Sequence, residues 1–482
     1  MTAEEPSRLI YTSPFVTRWA SREMLENWGD LKKYRTWRRL WIALAEAQKE
    51  LGLDISDGQI AELREHADDV DFDRAEAIER ETRHDVMAHL RAYGEQCPAA
   101  RPIIHLGATS AFVGDNTDLI QMRDGLRLLA TPLASACRNL AAFALTYRDL
   151  PCLAYTHFQP AQLTTVGKRA CLWLADLIGA LETVSALSAQ IPLRGAKGTT
   201  GTQASYLALF GGDHDKVEKL DELVAEKLGF LRVFVITGQT YPRAFDYKVL
   251  SSLGGLALAC YKMAGDIRLL AGLKELEEPF GQAQVGSSAM PYKRNPMRCE
   301  RMASLSRFLL NNVQNAAMTA ADQWLERTLD DSAIRRLCLP EGFLAADSIA
   351  HLAANITAGL VVNEGVIARR VQAELPFMAT EAILMAAVKA GGDRQDLHER
   401  IRVHSLGAGD RIKKGDGVND LLDRIRQDGA FVAVRDRLGE LVDPAAFVGR
   451  APRQVEEFLR EIVGPLLGKF PETDRPAPDL RV

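Results

Sequence analysis

The stretch "GSSAMPYKRNP", residues 286–296, interrupts two runs that otherwise read as helix. Pro291 and Pro296 each remove a backbone donor and clash with a preceding turn. The residues before them are pushed towards extended geometry, so this stretch is a loop. Gly286, Ser287 and Ser288 make its first part small and mobile. Lys293, Arg294 and Asn295 then supply donors with no acceptor charge among them. Two readings fit: an ordinary exposed loop, or a lid that closes over an anion.

Long helical runs lie on both sides, at 244–276 and 297–326. Further runs are expected at 116–149 (bent at Pro132), 161–190 and 340–373. Thirty helical residues span roughly 45 Å, too long for a small globule, so these runs predict a long bundle. Their faces are broad and rich in Ala and Leu, as in "LIGALETVSALSAQ" and "SIAHLAANITAGLVV". Such faces suit contact with other copies of the chain, although a monomeric helical scaffold has the same periodicity. Near the N-terminus, Trp37, Leu40, Trp41, Leu44 and Leu51 form one helical stripe, with Gly52 placed to end it. Strand signals are few, and the best short candidate is "FLRVFVITG" (230–238). Helix returns after Pro376, and the tail "KFPETDRPAPDLRV" reads as frayed or extended.

A chain of 482 residues exceeds what one core usually serves. The formal net charge of -5 gives no global basic field for nucleic acid. No stretch of about eighteen residues is free of charge, so no membrane-spanning helix is expected. The start, "MTAEEPSRLI", lacks the apolar run of a signal peptide. Seven scattered cysteines, an odd count with no C-x-x-C pair, fit reduced thiols in the cytoplasm and make a zinc site unexpected.

Four polar segments crowd where helices stop. In "ETRHDVMAHLRAY" (81–93), His84 and His89 are five apart and chelate poorly; His84 reads as a cap or as a site residue. In "IIHLGATSAFVGDNTDLI" (103–120), Gly107 to Ser110 form a turn, and Asp115, Asn116 and Thr117 read as a helix cap or as part of an oxygen-rich anion nest. In "YTHFQPAQLTTVGKR" (155–169), His157 precedes a helix entry, where it can be structural or can titrate near neutrality. In "WLERTLDDSAIRRLCLPE" (324–341), Arg327, Arg335 and Arg336 surround Asp330, Asp331 and Ser332, as a solvated charged face or an anion clamp.

The opening loop is similar to the G-S-S-x-M-P-x-K-x-N-P motif of the fumarase/aspartase superfamily. The segments "TRHDVMAHL", "HLGATSAFVGDNTDLI", "THFQPAQLTTVGKR" and "ERTLDDSAIRR" resemble the adenylosuccinate lyase family, especially its longer animal type, over about residues 18–470. The resemblance implies an all-α, three-domain subunit with a central long-helix bundle, assembled as a homotetramer with shared active sites. The expected divisions are 1–111, 112–364 with a mobile catalytic loop at 282–296, and 365–482. It also implies β-elimination of fumarate from two small-molecule substrates, adenylosuccinate and SAICAR, with no metal, no organic cofactor, no nucleic acid and no membrane partner.

Carried over position by position, the resemblance makes Ser287 the general base and His157 the general acid. It gives Lys293 and Asn295 the developing aci-carboxylate, and His84 a supporting or phosphate-binding role. Its binding positions fall on Arg18, Trp19, Arg83, His84, Asp85, Thr109, Ser110, Thr156, Gln239, Arg301, Arg327, Ser332 and Arg336. Two positions depart from the family pattern: Trp19, commonly tyrosine, and Ile334, usually asparagine in the longer type. Another fumarate-releasing lyase of this fold, or a non-enzymatic scaffold, are the competing readings.

Overall fold

The computed structural model describes residues 9–415 and 417–470. The first eight residues and nearly all of the tail expected to be extended lie outside the described residues. The chain opens with a short π-helical turn, Phe15–Trp19, followed by α1 (Arg22–Trp28) and α2 (Asp30–Glu50). The predicted stripe is real: Trp37, Leu40, Trp41 and Leu44 are buried, and Gly52 adopts φ +96° just beyond the helix end. Three shorter helices follow, α3 (Asp57–Glu65), α4 (Phe72–Thr82) and α5 (Asp85–Gln96).

Five long helices make the bundle. They are α6 (Ser110–Thr146), α7 (Val166–Gln190), α10 (Ala244–Gly272), α11 (Met297–Ala321) and α12 (Asp331–Ala358); α8 (Ala204–Leu209) and α9 (His214–Lys227) lie between the second and third. Helix α6 packs on α7 and α12, and α10 packs on α11, α7 and α12. One apolar core runs from Phe15 to Leu375 and takes in Val455 and Leu466 from the C-terminal end. By length and hydropathy alone α6 and α7 could cross a membrane, which the charge-interruption argument did not anticipate. About half of each apolar window, 50% and 56%, is buried inside the fold.

Several element boundaries differ from the sequence reading, each for a local reason. Residues 161–165 are not helical. They belong to a hairpin of β1 (Pro151–Thr156) and β2 (Gln159–Thr165), where β-branched Thr164 and Thr165 suit a strand and Pro160 is tolerated because each strand of a two-stranded hairpin is an edge. Helix α6 starts at Ser110, so Asp115, Asn116 and Thr117 are buried within it rather than capping it. Helix α12 starts at Asp331 and runs through Pro340, so Arg335 and Arg336 are helical; it ends before Gly359. The segment 230–238 forms no ladder. It makes a single parallel bridge, Leu193 to Val233, while Leu231, Val235 and Ile236 are 90%, 93% and 81% exposed.

Two-residue strands β3 (Leu276–Glu277) and β4 (Val361–Val362) pair beside the loop that follows α10. Helix α13 (Glu364–Met378) contains Pro376, and α14 (Thr380–Lys389), α15 (Arg394–Lys413) and α16 (Leu421–Gln427) enclose a second, smaller core around Ile383, Leu397, Ile425 and Phe431. All seven cysteines are buried and unpaired.

Two histidines are part of the packing near α2. His89 stacks on Tyr34 at 3.6 Å, and His105 accepts a 2.8 Å hydrogen bond from Trp41 Nε1. Burial lowers the pKa of each from 6.5 to about 4, helped by Arg38 and Lys33 for His89 and by His84 for His105. A histidine held neutral in the folded state contributes stability that is complete above the unfolded pKa and lost as pH falls towards the folded one. Thermal midpoints are therefore expected to drop between pH 6.5 and about 4, and His89→Gln is expected to flatten that slope. An unchanged slope in the variant would remove His89 as a source of acid sensitivity.

Candidate active site

A cleft of about 900 Å³ opens where α6, α10 and α12 begin. Its lining brings together Arg83, His84, Asp85, Thr109, Ser110, Gln239, Arg327, Ser332 and Arg336, all expected from the sequence. Trp28, Lys33, Tyr34, Trp37 and Arg243 also line it and were not singled out as site residues; Arg335, read as part of a charged face or an anion clamp, lines it too.

His84 is both a cap and a cleft residue. Its Nδ1 accepts from the Met87 amide at 3.4 Å, while Nε2 lies 3.4 Å from Ser110 Oγ. With Nδ1 accepting, the neutral ring carries its proton on Nε2, facing the hydroxyl. Asp85 accepts from Arg336 at 3.3 Å. Arg83, the residue that ends α4, has φ 54°.

Gln239 is held on three sides. Its carbonyl accepts from Arg194 Nε at 2.9 Å, its amide donates to Glu326 O at 3.0 Å, and its Oε1 accepts from Arg327 Nη1 at 2.8 Å. A Cβ on Gly238 would lie 2.4 Å from the Glu326 carbonyl, so the two backbones meet at a distance only glycine permits. Gly238→Ala is expected to push residues 326–327 aside and raise KM by about tenfold, a loss of roughly 1.4 kcal/mol in binding. Steady-state kinetics with an unchanged KM would show that the neighbouring backbone gives way instead.

Beneath the cleft lies a buried charge network. Arg243 reaches Asp115 at 3.0 Å and Asp331 at 2.7 Å; Arg335 reaches Asp246 at 2.7 Å and Asp118 at 2.9 Å. Tyr241 bonds both Asp246 and Arg335. Burial alone would raise the Asp115 pKa, but the guanidiniums of Arg243, Arg335 and Arg194 outweigh it and hold the carboxyl below its usual range. For Asp118 burial prevails over Arg335, and the pKa rises. The network ties the starts of α6, α10 and α12 together, so the cleft walls share one rigid base. Pairing explains how Asp115 sits inside a helix: a lone buried carboxylate there would be costly.

The remaining expected residues lie elsewhere. His157 and Thr156 are at the tip of the β1–β2 hairpin, where His157 has φ 53° and Phe158 φ 59°. Two successive positive φ values mark the turn type that suits a tight hairpin, but non-glycine residues adopt it at a cost. Such strain at an exposed histidine is a pointer to function.

Ser287, Lys293 and Asn295 sit on the loop before α11. Ser287 Oγ accepts from the Met290 amide at 3.2 Å and the Ala289 amide at 3.4 Å. Asn295 Nδ2 donates to Gly286 O at 2.7 Å. Both roots of the loop are joined by Glu278, whose carboxylate accepts from the Arg298 and Cys299 amides at 3.0 and 2.9 Å. Arg301 lies one turn into α11. Burial and then repulsion from Arg18 lower its pKa, which puts these two expected residues close together. Trp19 packs edge-on against Phe15 at 5.5 Å, and Ile334 packs against the main core, so both departures from the family pattern are accommodated as apolar contacts.

The distances along the helices separate these groups. Helix α6 carries Ser110 at one end and leads to the His157 hairpin at the other, roughly 54 Å away at 1.5 Å per residue. Helix α11 separates the Ser287 loop from the Arg327 segment by roughly 36 Å. One chain therefore does not unite the cleft with Ser287 or His157.

The chain matches the family described as Lyase over residues 15–308, and that described as Adenylosuccinate lyase C-terminus over residues 376–458. It is 53% identical to the adenylosuccinate lyase of Saccharomyces cerevisiae over 463 residues, covering 95% of this chain and 96% of that one. The adenylosuccinate lyase of Schistosoma mansoni is 49% identical, again over 95% of this chain and 96% of its own. Among solved structures, 3-carboxy-cis,cis-muconate lactonizing enzyme from Pseudomonas putida shares the fold with a TM-score of 0.80 at 21% identity, covering 93% of this chain and 99% of that one. With about half its residues in common with such enzymes along nearly the whole chain, this protein belongs to the adenylosuccinate lyase family.

Proposed function

We propose that this chain is a carbon–nitrogen lyase that releases fumarate by β-elimination from adenylosuccinate, giving AMP, and from SAICAR, giving AICAR. The observation that carries the reading is the cleft in which Arg83, Arg327 and Arg336 meet His84, Ser110, Gln239 and Ser332. A nucleotide phosphate and two succinyl carboxylates need several cations, and guanidinium forks suit them. Arg327 Nε supports this, being a buried donor with no hydrogen-bond partner among the described residues.

Ser287 removes the succinyl Cβ proton in this reading. A hydroxyl is a poor base unless its alkoxide is stabilised. The Met290 and Ala289 amides already point at Oγ, and Lys293 adds charge when the loop closes and water leaves. The electron pair from the C–H bond forms the C=C bond of fumarate through a dianionic enolate. The C–N bond breaks as His157 delivers a proton to the leaving nitrogen. Lys293 and Asn295 hold the enolate, and Arg18, Trp19, Thr156 and Arg301 complete the binding set.

A complete site then requires several copies, because His84 stands far from Ser287 and His157 within one chain. We infer a homotetramer with shared sites, working in the cytoplasm on small-molecule substrates. The test is to mix purified protein with adenylosuccinate, and separately with SAICAR, in metal-chelating buffer and quantify fumarate with AMP or AICAR. Equal catalytic amounts of both support the reading. No product from either substrate overturns it.

A further inference from the structure

Behind Gln239 stands a buried arginine that the proposed chemistry does not use. Arg194 is 0% exposed. Its Nε donates to the Gln239 carbonyl at 2.9 Å, Nη1 to the Gly195 carbonyl at 3.2 Å and Nη2 to the Gly198 carbonyl at 3.0 Å. Asp115 and Asp221 supply the opposing charge nearby. A planar fork of donors can serve three carbonyls at once, which the compact ammonium of a lysine cannot.

The two glycine carbonyls belong to a loop, 195–203, that is itself tied down. Asn116, buried in α6, accepts from the Gly195 amide at 3.0 Å and donates to the Gly195 carbonyl at 3.2 Å. Asp221 of α9 accepts from the Ala196 amide at 2.6 Å, from Lys197 Nζ, and from Gln203 Nε2 at 3.2 Å. A Cβ on Gly201 would lie 1.9 Å from the Thr237 carbonyl, so the loop rests directly on the segment that carries Gln239. Gln239 passes the constraint on. Its backbone is fixed at the carbonyl by Arg194 and at the amide by Glu326, and its Oε1 takes Arg327 Nη1. With Oε1 committed, the Gln239 side chain has only donors left for a ligand.

We propose that Arg194 is a positioning residue that fixes Gln239, and through it Arg327, on the wall of the cleft. The inference rests on the substrate-binding roles proposed above for those two residues. Gln239 and Arg327 line the same cleft of one chain, so it is independent of which copies complete the site. Hydrogen bonds from a guanidinium are strong in a dry interior, and a misplacement of about 1 Å costs up to about 100-fold. Gln239 and Arg327 hold anionic groups that the substrate carries from the start, so the loss falls on KM rather than on kcat.

Arg194→Lys keeps the buried charge and loses the fork. It is expected to raise KM for adenylosuccinate by about ten- to 30-fold, with kcat changed by less than about threefold. In a Gln239→Ala background that rise is expected to shrink below about twofold, because groups acting through one residue are not additive. Full-length Arg194→Lys is expected to exchange amide hydrogen faster over 237–239 and 326–327, with α11 unchanged. An unchanged KM overturns the proposal, as does a rise of equal size with and without the Gln239 side chain, or exchange like that of the wild type. If Arg194→Lys does not fold, Gln203→Asn slackens the same loop without altering a buried charge. Asparagine tolerates the left-handed backbone there, at φ 59°, while its shorter amide leaves Ala196 and Asp221. The same faster exchange is expected, and its absence from 237–239 overturns the proposal. If the wild-type chain releases no fumarate from either substrate, the binding roles fail on that result alone, and the exchange comparison still decides whether Arg194 fixes Gln239.

Discussion

Ser287→Ala is expected to lower turnover of adenylosuccinate on the order of 10⁴-fold while leaving assembly and substrate binding nearly intact. The size follows from the chemistry. The Cβ proton is weakly acidic, and no other group on the loop offers a base beside two amide donors. The side chain removed is small and half-buried, and among the described residues its hydroxyl bonds are local, from Ala289 and Met290. Loss of those bonds disturbs one turn of an exposed loop. Stopped-flow binding and sedimentation of the variant separate chemistry from folding. Turnover like that of the wild type removes Ser287 as the base.

Arg327→Ala is expected to raise KM by roughly 30- to 1000-fold, as the loss of a desolvated charge pair costs about 2–4 kcal/mol. Its Nη1 bond to Gln239 would also be lost, so the change reaches the wall of the cleft as well as the anion. Because Arg327 and Ser287 lie at opposite ends of α11, the two variants damage different parts of a shared site. Mixing equal amounts of the two impaired proteins under exchange conditions, assayed at substrate far below the raised KM, is expected to restore activity at about one quarter of the sites, the share that draws both residues from intact copies. Absence of any recovery, with mixed assemblies shown to form, would mean that each chain completes its own site.

The loop at 286–296 was legible because two prolines deny it a helix, and the bundle was legible because helical periodicity is local. The helix starts were not. Asp115 reads as a cap in sequence and Asp331 as part of a charged face or an anion clamp, yet both are buried and paired with Arg243, which is far from either in the chain. No local pattern around Arg243, in "YPRAF", announces a partner in α6. The hairpin at 151–165 was hidden by the helix-like run after it, and the apolar "FLRVFVITG" found no strand to pair with beyond one bridge. Arg327 and Arg336 stood out by charge crowding. Tyr34 and Lys33 did not, since they share a helix whose opposite face is core.

The left-handed tip at His157 and Phe158 sets stability against chemistry. A selection for heat resistance alone would favour glycine at these two positions, since relaxing a left-handed non-glycine residue gains on the order of 1 kcal/mol. At Phe158 that gain is open, subject to the loss of its contact with Tyr155 at 5.7 Å. At His157 the same exchange would discard the imidazole. Active thermostable descendants of this chain are therefore expected to change at Phe158 and keep His157, whereas a stability screen run without an activity filter would change both and drift towards a well-folded and silent protein.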